Sequence, residues 1–344
     1  MRGKAAPMQV SIIGGGITGL ACGVALAERG ARVELFEQHT QLGPGSCSWC
    51  AGGMLAPWCE LEDATEPLIA ELGLESLGWW RERFPGLQHG GTLVLAAGRD
   101  LPELARFAQR TQQYRWLTRA QIGELEPDLA GRFEQALHFP DECHLDPRQA
   151  LSFLAARLRE LGGTIRTGAG AERLDAAAGP VVDCRGLGAR ADLPDLRGVR
   201  GEMLLLRSRE LSLRRPVRLL HPRLPLYVVP RDDDVYMVGA TMLENDGTGA
   251  VTARSALELL SAAYALHPAF GEAQILELGA QARPAFADNL PRIRRVGGTL
   301  HVNGLYRHGF LLAPALAVRV AQVLLDGRYY PELMHEDRAQ RRLA

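Results

Sequence analysis

Apolar and polar positions follow two periods along this chain. Near the start, Val10-Ser-Ile-Ile reads as a buried strand. It runs into Gly14-Gly15-Gly16-Ile17-Thr18-Gly19-Leu20, then into a helical stretch through Ala21 to Arg29. A second strand, Ala31 to Phe36, ends on Glu37. Helical spacing returns over Thr65 to Arg83, Leu101 to Gln113, Arg148 to Leu161, Arg254 to His267 and Leu311 to Leu325. Strand-like runs fall at Gly91 to Ala96, Thr164 to Thr167, Val181 to Cys184, Met203 to Leu206, Leu226 to Val229 and Val235 to Gly239, with a further strand at His301 to Asn303 before the last glycine turn. Leu117 to Ile122 reads as a capped short helix stopped at Glu126-Pro127, and His138 to Pro147 as a turn-rich crossing.

Strand, glycine turn, helix, strand and terminal acid form one unit with a purpose. Gly14 permits the tight turn, Gly16 lets backbone approach a diphosphate, and Gly19 lets the helix pack closely on the strand. The diphosphate would rest on the free N–H groups of the helix start. Glu37, 23 residues after Gly14, stands where an acid bonds a ribose hydroxyl. The competing reading is a structural glycine turn. After the acid the chain does not continue through further βα units. It runs through Gly43 to Pro57, rich in small residues and without charge, as backbone lying flat on a flavin ring requires. FAD is therefore expected over a nicotinamide dinucleotide, with an ordinary loop as the alternative.

The formal charge of −1 argues against a nucleic-acid partner, which calls for a basic face. No apolar run is read as reaching the roughly 18–20 residues of a membrane span. The leader Met1 to Pro7 lacks the apolar core of an export signal, so the cytoplasm is the expected compartment. Six cysteines (Cys22, Cys47, Cys50, Cys59, Cys143, Cys184) make no disulfide framework at this length. Cys47 and Cys50 form a CxxC, but no second ligand pair accompanies it, so no metal is expected. Lys4 is the sole lysine, which excludes internal Schiff-base chemistry.

Several segments recur in a known order: the N-terminal fingerprint, Ser48-Trp-Cys-Ala51-Gly52-Gly53-Met54-Leu-Ala-Pro57, Gly239-Ala-Thr-Met242, Arg283-Pro284, and Asn303-Gly-Leu-Tyr306-Arg307-His308-Gly309-Phe310-Leu311-Leu-Ala-Pro314. Together they resemble the FAD-dependent D-amino-acid oxidase superfamily, most closely its glycine oxidase branch of thiamine biosynthesis. The resemblance implies an α/β fold: a discontinuous, glutathione-reductase-type FAD-binding Rossmann domain (1–85, 138–200 and 285–344) with an inserted antiparallel α+β substrate domain (86–137 and 201–284). It implies oxidation of glycine or another small amino acid to the imine, giving glyoxylate and ammonia in water, with oxygen reduced to hydrogen peroxide. In the pathway the imine would feed thiazole synthesis. Two alternatives stay open: a D-amino-acid or N-methyl amino acid dehydrogenase passing electrons to a carrier, and a non-catalytic flavin-binding subunit. Oligomeric state is left open, a homo-oligomer included.

Fingerprint and resemblance together assign the cofactor to Gly14, Gly15, Gly16, Ile17, Thr18, Gly19, Glu37, Gln38, Ser48, Trp49, Ala51, Gly52, Gly53, Met54, Gly186, Arg307, His308, Gly309, Phe310 and Leu311. Two departures stand out. The strand before Gly186 ends Asp183-Cys184-Arg185 where the family places small residues. No cysteine follows Cys184, so covalent attachment of FAD at the C-terminal segment is excluded and the cofactor is expected to be non-covalent. For the substrate, Arg283 offers the planar fork a carboxylate calls for, against the alternative of a surface arginine. Arg307, in a glycine-bounded loop, would hold a carboxylate or the charge of reduced flavin. Strand alternation would turn Tyr306 and His308 away from whatever Arg307 faces. Tyr227 would close the substrate cavity, if it is not a core tyrosine. The flavin carries the chemistry, so no side chain is assigned a catalytic acid or base.

Overall fold

The first strand, Gln-Val-Ser-Ile-Ile, is buried on both faces past Gln9, as in a parallel sheet covered by helices. In the computed structural model, which describes residues 6–63, 67–170, 179–221, 225–247 and 249–334, it spans Gln9–Ile13 and is followed by the helix Ile17–Glu28 and the strand Arg32–Glu37. Lys4 lies outside the described residues, as do the start of the expected helix at Thr65 and the expected termini at 1–5 and 335–344.

Contacts divide the chain into two units. The first is Met1–Ala51, Pro147–Val199 and Arg283–Ala344; the second is Gly52–Asp146 and Arg200–Ala282. Residues 52–85, 138–146 and 200, which the expectation assigned to the FAD-binding domain, cluster with the second unit, and 283–284 with the first. The physical reason is a short antiparallel pairing of Met54–Leu55 with Cys143–His144, which ties both segments together there.

The first unit has a six-stranded sheet ordered Arg292–Val296, Thr299–Asn303, Val181–Asp183, Gln9–Ile13, Arg32–Glu37, Thr164–Thr167. All its pairings are parallel except the antiparallel edge strand Arg292–Val296. The helix Ile17–Glu28 is buried from Ile17 to Ala27 apart from Thr18. Small residues make that possible: a Cβ on Gly23 would lie 3.0 Å from Leu158 of the helix Pro147–Glu160. The closing helix Gly309–Asp326 packs along it. Among the described residues, Tyr306–Asp326 is, by length and composition, the one helix long and apolar enough to cross a membrane, against the expectation that no apolar run reaches that length; 67% of an 18-residue stretch of it is buried inside the protein, as in a core helix.

The second unit is an eight-stranded sheet ordered Gln274–Ala285, Arg197–Arg207, Val235–Gly239, Leu226–Pro230, Val217–Leu220, Thr92–Ala96, Gln135–Phe139, Arg115–Thr118. It is antiparallel in its known registers except where Val217–Leu220 pairs parallel with Thr92–Ala96. Those two strands lie far apart in the chain, so no hairpin forces them antiparallel.

Several sequence expectations need correction. The expected capped short helix forms as Arg119–Leu125, with Thr118 and Gln121 in a reciprocal cap and Glu126 at its end, but Leu117 and Thr118 belong to a strand at 115–118. The stretch 138–147 carries the ends of two strands rather than turns alone. The strands Val217–Leu220, Gln274–Ala285 and Arg292–Val296 were not expected. Arginine and glutamate interrupt their apolar alternation.

Candidate active site

The glycine turn does what its spacing demands. Gly14 has φ +104°, and a Cβ there would sit 2.6 Å from the Cys184 carbonyl oxygen. A Cβ on Gly19 would sit 1.9 Å from the Gly14 carbonyl oxygen. On Gly16 it would meet the hydroxyls of Ser46 and Ser48 at 3.2 and 3.3 Å, so this residue lies in a cradle of polar groups. The helix start carries no acid in its first turn and no side-chain cap on Gly16. Its positive end is thus uncompensated by the helix itself. Ile17 N–H donates to Ser48 Oγ at 3.1 Å, and Ser48 N–H donates to Ser46 Oγ at 3.0 Å.

Glu37 is buried and accepts Gly15 N–H at 2.7 Å on Oε2 and His39 N–H at 2.9 Å on Oε1. A carboxylate oxygen takes more than one donor, so both oxygens keep a lone pair for a hydroxyl. Gln38 is exposed beside His39. The Trp49 ring is held between Arg148, whose guanidinium lies 4.4 Å from its centroid, and Gly43, where a Cβ would come within 2.4 Å. Trp49 thereby shapes the Cys47–Cys50 turn.

On the strand paired directly with Gln9–Ile13, the Asp183-Cys184-Arg185 sequence forms a lock. Asp183, fully buried, accepts from Arg185 N–H at 2.9 Å and from Arg185 Nε at 2.8 Å. Arg185 reaches on to Asp192 at 2.9 Å. The arginine that departs from the family pattern is thus folded back onto its own strand. Asp183, Asp192 and His301 are, among the described residues, the one His, Cys or carboxylate group of metal-ligand proximity, and this guanidinium already bridges its two carboxylates. Gly186 has φ +57°; its carbonyl accepts from Asn303 Nδ2 at 2.9 Å, and a Cβ on it would lie 3.7 Å from Pro284.

That contact brings Arg283 into the picture. Arg283 is half-buried next to Pro284 and pulls the Cys47 thiol toward ionisation, although burial wins and leaves the thiol pushed up. Arg283 therefore belongs to the same side of the unit as the Cys47–Cys50 turn. Arg307 is also half-buried, its guanidinium 5.8 Å from the Tyr306 ring centroid. The expectation that alternation turns Tyr306 and His308 away from Arg307 fails, because Tyr306–His308 is a 3-10 turn with three residues per revolution. The rings of Tyr306 and His308 meet edge to face at 6.0 Å. Helix start and glycine turn converge: a Cβ on Gly309 would touch Ile17 at 3.5 Å. Phe310 and Leu311 are buried behind them. A Cβ on Gly304, whose φ is +78°, would lie 2.3 Å from the Phe286 ring, so the glycine there is an internal packing demand.

In the second unit Tyr227 lies between two glycines. A Cβ on Gly52 would come 3.0 Å from its Cε2, and one on Gly239, its register partner, 3.0 Å from its hydroxyl. Its other neighbour in register is Arg218, which is half-buried and pairs with Glu60 at 3.2 Å. Sequence reading missed Arg218 and Glu60. One signal was present: apart from His39, the chain carries no acid or base from Gln38 to Cys59, and Glu60 ends that run.

Residues 9–323 match the profile of the family described as DAO, FAD dependent oxidoreductase. The chain belongs to this family. Over 326 residues, 94% of this chain and 99% of the relative, it is 54% identical to a Rhizobium etli protein named putative thiamine biosynthesis oxidoreductase ThiO. It is 29% identical over 360 residues to the glycine oxidase of Geobacillus kaustophilus, covering 92% of each. The structure superposes on Bacillus cereus glycine oxidase with TM-score 0.79 at 23% identity, covering 95% of this chain and 97% of that one. These likenesses bear out the expected fold class. FAD is the cofactor of the DAO family, and the Gly16 cradle, the acid-free first turn of the helix and the remaining lone pairs of Glu37 fit its diphosphate and ribose.

Proposed function

We propose that the protein oxidises glycine, or a comparably small amino acid, to the imine, with oxygen reduced to hydrogen peroxide, and that the imine serves thiazole assembly in thiamine biosynthesis. The observation that carries this reading is the 54% identity, over nearly the whole of both chains, to a relative named for that pathway. Bound FAD supplies the hydride acceptor. The chain's own residues then have three tasks.

First, the glycine turn and Glu37 hold the diphosphate and ribose through backbone N–H groups and a carboxylate already anchored on Gly15 and His39. Second, Arg283 takes the substrate carboxylate in a two-bond fork, which fixes the direction of the α-carbon. Third, Tyr227 is a further substrate contact in this reading; Gly52 and Gly239 approach its ring and hydroxyl so closely that a Cβ on either would lie 3.0 Å away. Arg307, at the start of the closing helix, adds positive charge where reduced flavin is anionic. No side chain need act as a strong base, only to favour the neutral amine. The cytoplasm is the compartment in which we place this step.

Anaerobic mixing of the holoenzyme with glycine tests the reading. Glycine should bleach the flavin's long-wavelength band, and in air it should yield one peroxide per oxygen consumed. Bleaching by other amino acids but not by glycine would move the substrate; bleaching by none would end the reading.

A further inference from the structure

The segment Gly52 to Cys59 is fastened at both ends by side chains that the proposed reaction does not use. Its two-residue strand, Met54–Leu55, pairs with Cys143–His144, and Leu145 N–H donates to the Gly53 carbonyl at 2.9 Å. A ladder this short is marginal by itself. Gly52 and Gly53 add backbone freedom that must be frozen, Gly53 with φ +77°.

At one end stands Arg231, its side chain 7% exposed. Nη2 donates to the Gly52 carbonyl at 2.7 Å and Nη1 to the Leu145 carbonyl at 2.6 Å, so one guanidinium spans both segments. At the other end stands Glu142, fully buried, whose Oε1 accepts the N–H groups of Trp58 at 3.1 Å and Cys59 at 2.8 Å. Charge-assisted bonds of this kind are among the stronger ones in proteins. The fastened segment bears on Tyr227 at Gly52, and the residue after it, Glu60, meets Arg218 beside Tyr227.

We propose that Arg231 and Glu142 are positioning residues for the amino acid site, clamping the two ends of the Gly52–Cys59 segment so that Gly52 stays against Tyr227. The inference rests on the reading of Tyr227 as a substrate contact. Arg231→Lys removes the double fork while keeping a charge. Glu142→Leu removes the acceptor, and Glu142→Gln keeps it.

Two measurements on the holoenzyme decide it. Hydrogen exchange over peptides covering residues 52–59 reads the clamp without substrate; it should speed up in Arg231→Lys and Glu142→Leu and stay slow in Glu142→Gln. Steady-state kinetics read the consequence. KM for glycine should rise about ten- to hundredfold in the first two variants, the worth of one such bond, with kcat and FAD content unchanged and Glu142→Gln restored. Unchanged exchange in both disruptive variants overturns the clamp. Faster exchange with an unchanged KM, or early melting with a normal KM in the surviving holoenzyme, makes the pair a structural brace and overturns the positioning role. If glycine and every other amino acid fail to bleach the parent enzyme, the amino acid reading has failed instead, and the exchange result alone judges the clamp. Should Glu142→Leu not fold, Arg231→Lys and Glu142→Gln still give opposite expected outcomes.

Discussion

Glu142 and His144 stand one residue apart, and burial moves their proton affinities in opposite directions. The Glu142 carboxyl is pushed up from 4.5 to about 7, chiefly by loss of water. The His144 imidazole is pushed down from 6.5 to about 4, by loss of water and then by Arg231 and Arg215. In the folded state Glu142 holds its proton more tightly than in the unfolded chain, so its contribution to stability is complete below pH 4.5 and is lost as pH rises through 7. His144 does the reverse: its contribution is complete above pH 6.5 and is lost as pH falls through 4. Each slope amounts to about 1.4 kcal/mol per pH unit, so the two cancel over most of the window between them. Denaturant midpoints of the holoenzyme should therefore change little from pH 4.5 to 6.5 through these two groups. Glu142→Gln should make stability rise with pH across that window; His144→Asn should make it fall. Parallel profiles in both variants would sink the assignment.

Much of the first unit was legible in the sequence because its local rules and its global fold agree. The strand, turn and helix from Gln9 to Glu28 need glycine where φ is positive or backbone comes close, and glycine stands there. Less of the second unit was legible. Arg231, Glu142 and Arg218 look like surface charges in a sequence, and only burial beside backbone carbonyls, N–H groups and Glu60 gives them work. The strand at Gln274–Ala285 stayed hidden because it is exposed at one end and buried at the other, which erases alternation. The packing of the Trp49 ring against Arg148 and Gly43 was likewise not legible, because both lie outside its own short segment.

Gly16→Val should abolish FAD retention. The added methyls fall among the Ser46 and Ser48 hydroxyls, in the space a diphosphate needs. Flavin absorbance after gel filtration reads the outcome. A yellow, stoichiometric Gly16→Val protein would mean that the cofactor lies elsewhere.

FAD should leave the protein on acid precipitation, because no cysteine follows Cys184 in the C-terminal segment. Flavin remaining in the pellet would contradict non-covalent binding.

Arg283→Ala should lower kcat/KM for glycine by about one and a half to three and a half powers of ten, the range for a carboxylate stripped of a buried partner. FAD content and melting temperature should barely move. Arg283→Lys should recover part of the loss, since an ammonium cannot make the fork. Near-normal efficiency in Arg283→Ala would remove the residue from the site.

Arg185→Ala should destabilise the protein by about 3–5 kcal/mol, because it leaves the fully buried Asp183 without its charge partner. Arg185→Ala combined with Asp183→Asn should recover stability by removing the stranded charge. Chemical denaturation of these two variants and of Asp183→Asn alone checks this, and an additive double variant would argue that the lock has no energetic coupling.

The helix Ile17–Glu28 finds its long neighbour only at the other end of the chain, where Arg29 grips Asp326, 297 positions later, at 2.8 and 2.9 Å. A ribosome adding 5–20 residues per second takes roughly 15 to 60 s to cover that distance. For all that time the apolar helix has Pro147–Glu160 to pack on at most, while its longer neighbour, and with it one wall of the cofactor's cradle, is missing. Newborn chains of this enzyme thus pass through an interval in which chaperones have something to hold and flavin does not, and the cradle's completion waits for nearly the last turn of chain to appear.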